Sequence, residues 1–455
     1  MLDINYIREN LDKVKKALVD RGMEGTVDMD RFLSIDDNRR GILSKLNPLQ
    51  AERNTLSDQI AKCLAEERKP LIEKGTALKN EIKKLEEDLR SVESEYKELI
   101  LWIPNIPLDD VPVGKNDKEN VEIKAWKPGT GYLDQTLLSG YNGSITSMPK
   151  YPTKSSKDFS PVPHWEIGEK LDLIDLNAGS KVSGSRFYFL KNEGVLIVYA
   201  IFDLLLKKLV KEGFSPMIVP LLVKEDVLYG TSHFPGDADQ VYKVDNSNVE
   251  NKNQLYLLGS SEPSLFSYYM NTTLSKEELP KKMVAITPCF RSEAGSWGKD
   301  VRGIKRTHQF DKLEMDVVVE GTLEESKKIH EQLLSINEWL LQTLELPYHV
   351  INMCTGDLGY FAAAKKYDVE VWLPSVNEYM EVMSDSITTD YQARRLNIKY
   401  KDKANLQYVH TVNDTGATHR LLIAILDNYQ QKDGSVIIPE ALRAYIEKDK
   451  IVPKK

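Results

Sequence analysis

Between Ile42 and Leu99 the apolar residues recur in two runs at alternating four- and three-residue spacings. Only a long helix with a partner helix buries a pattern of that period. The first run is Ile42, Leu46, Leu49, Leu56, Ile60 and Cys63, with Arg53 filling the gap, and the second is Leu78, Ile82, Leu85, Leu89, Val92, Tyr96 and Leu99. The charged stretch Glu66-Glu67-Arg68-Lys69-Pro70 separates them. Two helices of similar length joined by a turn containing proline predict an antiparallel coiled-coil hairpin, tens of ångströms long at about 1.5 Å per residue. A dimerisation coil is the alternative, but a parallel dimer has no reason to break and resume at matching length. Pro48, inside the first stripe, is expected to kink that helix or interrupt one of its hydrogen bonds.

Closely spaced prolines in Trp102-Ile103-Pro104-Asn105-Ile106-Pro107 end the hairpin. The reading is therefore an N-terminal domain over 1–104, a linker and surface insertion over 105–164, and a second domain over 165–455. Residues 127–163 are rich in Gly, Ser, Pro and Tyr and lack periodicity, which predicts a long surface loop. Beyond it, short β-rich runs (FYFL, MIVPLLV, VEVWL, SVIIP) alternate with helical stretches at 194–211 and 324–344, so the second domain is α+β. No apolar run is long enough to span a membrane and the N-terminus lacks a signal-peptide layout, which predicts a cytoplasmic protein. Cys63, Cys289 and Cys354 are too scattered for a disulfide framework or a thiolate zinc site.

The net charge of -8 excludes non-specific nucleic-acid coating and confines any such contact to a local patch. Against that acidic background, CFRSEAGSWGKDVRGIKRTHQFDKLE (289–314) concentrates three arginines and three lysines. Arg291 and Glu293 alternate as on one face of a strand, residues 295–303 read as a mobile loop, and Arg306, Phe310 and Glu314 follow at even spacing as on a returning strand. Guanidinium forks, carboxylates and an aromatic plate on one face suit a polyanionic nucleotide whose base is stacked. A solvated amphipathic hairpin fits the spacing equally well.

CFRSEAG, RGIKRTHQFDKLE and NYQQKDGSVIIPEALRAYI resemble the second and third signature motifs of seryl-tRNA synthetases, a class II aminoacyl-tRNA synthetase family. The similarity extends through MLDINYIREN, WIPNIP, KVSGSRFYFL, LYGTSHFPG, CTGDLG, YDVEVWLP and YQARR, nearly the whole chain. The resemblance implies a class II antiparallel sheet flanked by helices behind the coiled-coil hairpin. It also implies serine–tRNA ligase activity: L-serine and ATP give seryl-adenylate and pyrophosphate, and serine passes to serine tRNA, with selenocysteine tRNA a further acceptor in the family. Carried over, Arg291 bridges the α-phosphate and the serine carboxylate, Glu293 takes the adenine amino group, Phe310 stacks on adenine and Arg306 holds the outer phosphates. Arg420 stacks on adenine and touches the γ-phosphate. Arg291 and Arg420 are thus the catalytic pair. Glu381 and Ser384 hold Mg2+, and serine is bound by Ser260, Glu262, Arg291, Glu314 and Thr415. Pro220 matches the proline of a homodimer interface, and the hairpin grips the long variable arm of the tRNA. No membrane partner is implied.

The chain departs from the family pattern at Ser260-Ser261-Glu262, at 380–387, where Met380 and Ile387 replace an arginine and an asparagine, and in a run before Arg420 that is one residue short. Gly359-Tyr360-Phe361-Ala362 is one longer. A one-residue slip on a strand reverses which face a side chain occupies, so these departures bear on the amino-acid pocket. They leave open a relative activating another small amino acid, and a non-catalytic tRNA-binding relative.

Overall fold

The computed structural model describes residues 1–62, 64–132, 158–245, 253–294 and 302–454. Most of the 127–163 loop reading and most of the 295–303 loop reading therefore lie outside the described residues. The chain divides into two compact units. One holds Leu2–Val19 and Met23–Pro104, and the other holds Asn105–Lys455 with Met1 and Asp20–Gly22.

In the first unit, helices α1 (Met29–Lys62) and α2 (Ala65–Ile100) form the hairpin. The first helix ends at Lys62 and the second begins at Ala65, so Pro70 does not separate them. Pro70 lies inside α2 as its sixth residue, where it forgoes the one backbone hydrogen bond its missing N–H would have made. Pro48 likewise sits within a helix assigned without a break. Leu46, Leu78 and Ile82 form the buried seam, with Leu49, Leu85 and Leu89 packed against it. Lys74–Glu52 (2.7 Å) and Arg39–Glu93 (3.6 Å) cross between the helices. At the root, the buried Asp36 carboxylate accepts from Arg8 Nε at 2.7 Å and pairs with Arg40 Nε at 2.8 Å.

The second unit is built on a nine-stranded sheet. Its strands in chain order are β1 (Val121–Lys127), β2 (Gly131–Tyr132), β3 (Ser215–Met217), β4 (Lys281–Phe290), β5 (Gln309–Val319), β6 (Tyr348–Asn352), β7 (Lys365–Leu373), β8 (Glu378–Thr389) and β9 (His410–Thr418). They lie in the order β2-β1-β6-β7-β8-β9-β5-β4-β3, antiparallel throughout except for β3 beside β4. Three helices supply apolar faces to one side: α3 (Glu193–Lys211), α4 (Leu323–Thr343) and α5 (Arg420–Tyr429). Leu205, Leu333, Leu340 and Leu422 pack there on Leu313, Met315, Val369 and Val412. The opposite faces of β5, β8 and β9 carry Lys312, Glu314, Ser384, Asn413 and Thr415, which leaves that side for polar chemistry. Among the described residues no helix is long and apolar enough to cross a membrane.

Away from the sheet centre, the His349 ring is buried between two carboxylates, Glu122 Oε2 at 2.7 Å from Nδ1 and Glu370 Oε2 at 2.8 Å from Nε2. Tyr379 stacks on it with centroids 3.6 Å apart. Burial alone disfavours the imidazolium, but the hydrogen bonds to Glu122 and Glu370 outweigh it and raise the pKa. A raised folded-state value means that the stabilisation is fully present below the unfolded pKa of about 6.5 and is lost as pH rises through the folded value. Thermal unfolding across pH 6 to 9 should therefore show His349→Gln less stable than the parent at pH 6, with the gap narrowing toward pH 9. A gap independent of pH would assign His349 a packing role only.

Candidate active site

Arg291, Glu293, Arg306, Phe310, Glu381, Thr415 and Arg420 line one cleft on the polar side of the sheet, together with Lys312 and His419. β4 ends at Phe290, so Arg291 and Glu293 do not alternate on a strand. Glu293 has φ 50°, a left-handed conformation, which turns the chain out of the sheet. Arg306 likewise precedes β5, and only Phe310 and Glu314 share that strand and face. The cleft is nonetheless formed, because the β4–β5 pairing in register from Lys281↔Val318 to Phe290↔Gln309 brings both ends of the segment together.

Cations and carboxylates alternate across the cleft. Arg291 Nε donates to Gly259 O at 3.2 Å, and its guanidinium lies 5.5 Å from the Phe310 ring centroid. Arg306 Nη1 is 3.8 Å from Glu293 Oε2, and Lys312 Nζ is 2.7 Å from Glu314 Oε2. Arg420 Nη1 reaches Glu381 twice, at its carbonyl (2.9 Å) and at Oε2 (3.3 Å). Desolvation would raise the Glu381 pKa, but Arg420, Lys366 and Arg291 outweigh it and hold the group at about 2. His308 is a scaffold residue here, with Nδ1 2.9 Å from Tyr242 Oη and 3.0 Å from Arg291 O.

Two β-bulges set which side chains face the cleft. Val369↔Met383 is followed by Glu370↔Glu381, which leaves Val382 as an extra residue on β8. The extra residue brings Glu381 and Ser384, three apart, to one face. On β9, Leu313↔Ala417 is followed by Glu314↔Thr415, so Gly416 is the bulged residue. A Cβ there would stand 2.9 Å from Leu205 Cδ2 and 3.0 Å from Leu313 Cδ2, so the crowding suits glycine. Thr415 accordingly meets Glu314, its Oγ1 3.3 Å from Oε2 and 3.4 Å from Lys312 Nζ.

Ser260, Glu262 and Glu314 lie deeper than the cleft and are almost fully buried. Glu262 Oε1 accepts from Tyr360 Oη (2.6 Å), Gln392 Nε2 (2.6 Å) and Asn413 Nδ2 (3.3 Å), and Ser260 Oγ accepts from the Glu262 N–H at 3.3 Å. Burial raises the Glu262 pKa against these hydrogen bonds. Tyr360, Gln392, Asn413 and Lys312 are site residues that the sequence reading missed. Gln392 lay within the quoted YQARR motif and Tyr360 within the lengthened 359–362 run, but neither carries a charge that would single it out. The loop bearing Tyr360 is tied down by buried Arg21, which donates to Tyr360 O and Ala363 O, each at 2.8 Å.

Of the departures from the family pattern, those at Ser260, Tyr360 and Asn413 border the buried Glu262 carboxylate, whereas those at Met380 and Ile387 fall on the other face. Met380 and Met383 are packed in the helix-side core, and Ile387 pairs with Val412 of that core. Asp385 stands opposite Asp414 in the β8–β9 register, beneath α4, where Asn337 Nδ2 donates to both Asp414 oxygens at 2.9 and 2.8 Å. Burial, then mutual repulsion, pushes Asp385 well above the usual carboxylate range. A raised carboxylate pKa costs stability as pH climbs above about 4. Asp385→Asn should thus be more stable at pH 7 by about 1 kcal/mol or more, the worth of one unit of displacement, with the gain vanishing toward pH 4. A loss of stability at pH 7 in denaturant titrations would contradict this.

Residues 242–429 match the tRNA synthetase class II core domain (G, H, P, S and T), which makes the sheet and its cleft those of a class II synthetase core. Residues 1–107 match the seryl-tRNA synthetase N-terminal domain. A serine–tRNA ligase of Rubrobacter xylanophilus is 40% identical over 457 residues, spanning 100% of this chain and 99% of its own. The chain belongs to the seryl-tRNA synthetase family. Among solved structures, seryl-tRNA synthetase from Pyrococcus horikoshii complexed with ATP superposes with a TM-score of 0.84 at 37% identity, with full coverage of both chains. The cytoplasmic serine–tRNA ligase of Naegleria fowleri in complex with AMP gives 0.81 at 28% identity, covering 100% of this chain and 99% of that one.

Proposed function

We propose that this chain is a serine–tRNA ligase, an ATP-dependent, AMP-forming enzyme that activates L-serine and transfers it to serine tRNA. The observation that carries the reading is the convergence of Arg291, Glu293, Arg306, Phe310, Glu381 and Arg420 on one cleft. The serine carboxylate attacks the α-phosphorus and pyrophosphate leaves. The 2′- or 3′-hydroxyl of the terminal adenosine then attacks the carbonyl of the adenylate, expelling AMP. Neither step needs a nucleophilic side chain; the site positions reactants and disperses charge.

Arg291 bridges the α-phosphate and the serine carboxylate, Arg306 takes the outer phosphates, and Arg420 covers the base and the γ-phosphate. Phe310 offers the stacking plate, from which adenine displaces the Arg291 guanidinium. Glu293 reads the adenine amino group. Glu314, with Lys312 and Thr415 beside it, faces the serine hydroxyl, while Glu262 and Ser260 hold the α-ammonium end. Glu381 and Ser384 suit Mg2+: both are hard oxygen donors, the bulge aligns them, and Glu381 stays ionised. Bound there, the ion would add positive charge beside the phosphates.

A homodimer through the Pro220 region is supported by Ile218, fully exposed at 103% just beyond the edge strand β3, and by exposed Leu196 and Tyr199 on α3. Such apolar surface is characteristic of an interface. The hairpin is the arm for the tRNA.

Pyrophosphate exchange tests the reading directly. Exchange should depend on L-serine, and Arg291→Ala should lower it at least ~100-fold, the scale of losing one transition-state charge contact, while the fold persists. Exchange driven by a different amino acid, or undiminished in the variant, would overturn the assignment. Removing residues 37–99 should leave serine activation intact but abolish tRNA charging; equal charging by the shortened chain would show that the arm is not the grip.

A further inference from the structure

The segment Ser185–Leu190, part of the KVSGSRFYFL motif, has no place in the chemistry above, yet three of its consecutive residues brace residues around the cleft. Arg186 Nη1 donates to Glu293 O at 3.0 Å, and the Arg186 carbonyl accepts from His308 N–H at 3.2 Å. Phe187 stacks on the His308 ring with centroids 5.2 Å apart, and Tyr188 stacks on His419 at 5.7 Å. The segment is itself held close: a Cβ on Gly179, in the helix Leu176–Ser183, would stand 2.2 Å from Phe187 O. Its backbone is therefore a rigid reference.

Glu293 needs such a reference. It is a non-glycine residue in the left-handed region, at φ 50°, just beyond the end of β4. A residue there persists only where its surroundings over-determine it. Its carboxylate Oε2 lies 3.8 Å from Arg306 Nη1. Arg186 supplies a charge-assisted hydrogen bond to the carbonyl. Arg186 is itself left-handed at φ 63°, so both ends of the link are fixed in unusual conformations.

We infer that Arg186 is a positioning residue for base recognition: by holding the Glu293 carbonyl it fixes the left-handed turn that aims Glu293 at the 6-amino group of the purine, and so sets selectivity for ATP over 6-oxo purine nucleotides. This rests on the assignment of Glu293 to the adenine amino group. The lysine of Arg186→Lys can reach the same carbonyl, whereas the uncharged chain of Arg186→Met cannot donate.

The test is pyrophosphate exchange by the full-length protein with ATP and with inosine triphosphate, at saturating and limiting serine. Arg186→Met should raise KM for ATP about tenfold, leave KM for serine and Tm near the parent values, and lower the ATP-to-ITP preference in kcat/KM. Arg186→Lys should restore much of both, and Arg186→Met should add little in a Glu293→Ala background. An unchanged ATP-to-ITP ratio in Arg186→Met, or equal increases in both KM values, overturns the inference. If Glu293→Ala itself keeps the parent ratio, the base-reading assignment falls and the inference with it. A lowered ratio in Glu293→Ala alone overturns the role of Arg186 only.

Discussion

Everything in the catalytic unit depends on the phase of three adjacent strands, β8, β9 and β5. Each alternates between a helix-packed face and a polar face, and a sheet permits no intermediate orientation. Strict alternation would send Glu381 and Ser384 to opposite sides, as it would Thr415 and the residues beyond it. The extra residues Val382 and Gly416 reset that phase locally. The crowding around Gly416 by Leu205 and Leu313 shows that core packing and site geometry constrain the same backbone position.

The same phase explains how a concentrated set of cations is tolerated in one cleft. Arg306 faces Glu293, Lys312 faces Glu314 and Arg420 faces Glu381, while Arg291 lies over Phe310. Each positive group has a carboxylate or aromatic partner, so the donors are held near their working positions before any phosphate arrives. Preorganisation of that kind avoids reorienting the site as transition-state charge develops.

The hairpin was legible from Leu46, Leu78 and Ile82 because a heptad seam reports its own geometry. Its turn was misplaced by taking Pro70 as a break, when the helix continues through that proline at the loss of one backbone hydrogen bond. The cleft residues were legible as a set, yet their arrangement was not. Alternation placed Arg291 and Glu293 on a strand, whereas a positive φ at Glu293 turns the chain aside. No residue type announces that turn. Met380 and Ile387 looked like changes to the amino-acid pocket, but the register places them on the helix-side face. Those two substitutions therefore alter the core beneath the site, where Asp385 and Asp414 oppose each other, while the departures at Ser260, Tyr360 and Asn413 stand beside Glu262 in the site itself.

The arm, on the reading proposed above, meets RNA without a strong excess of positive charge. From Met29 to Ile100 acidic residues slightly outnumber basic ones. Several of the cations are already spent on the hairpin itself, as Lys74 on Glu52, Arg39 on Glu93 and Arg40 on Asp36. A surface of that kind gains little from counterion release, which scales with the number of phosphates neutralised. It is better suited to reading the shape of a folded RNA. Such a grip makes the length and rigidity of the hairpin its working property, and the buried leucine seam that a reader of the sequence meets first is what supplies both.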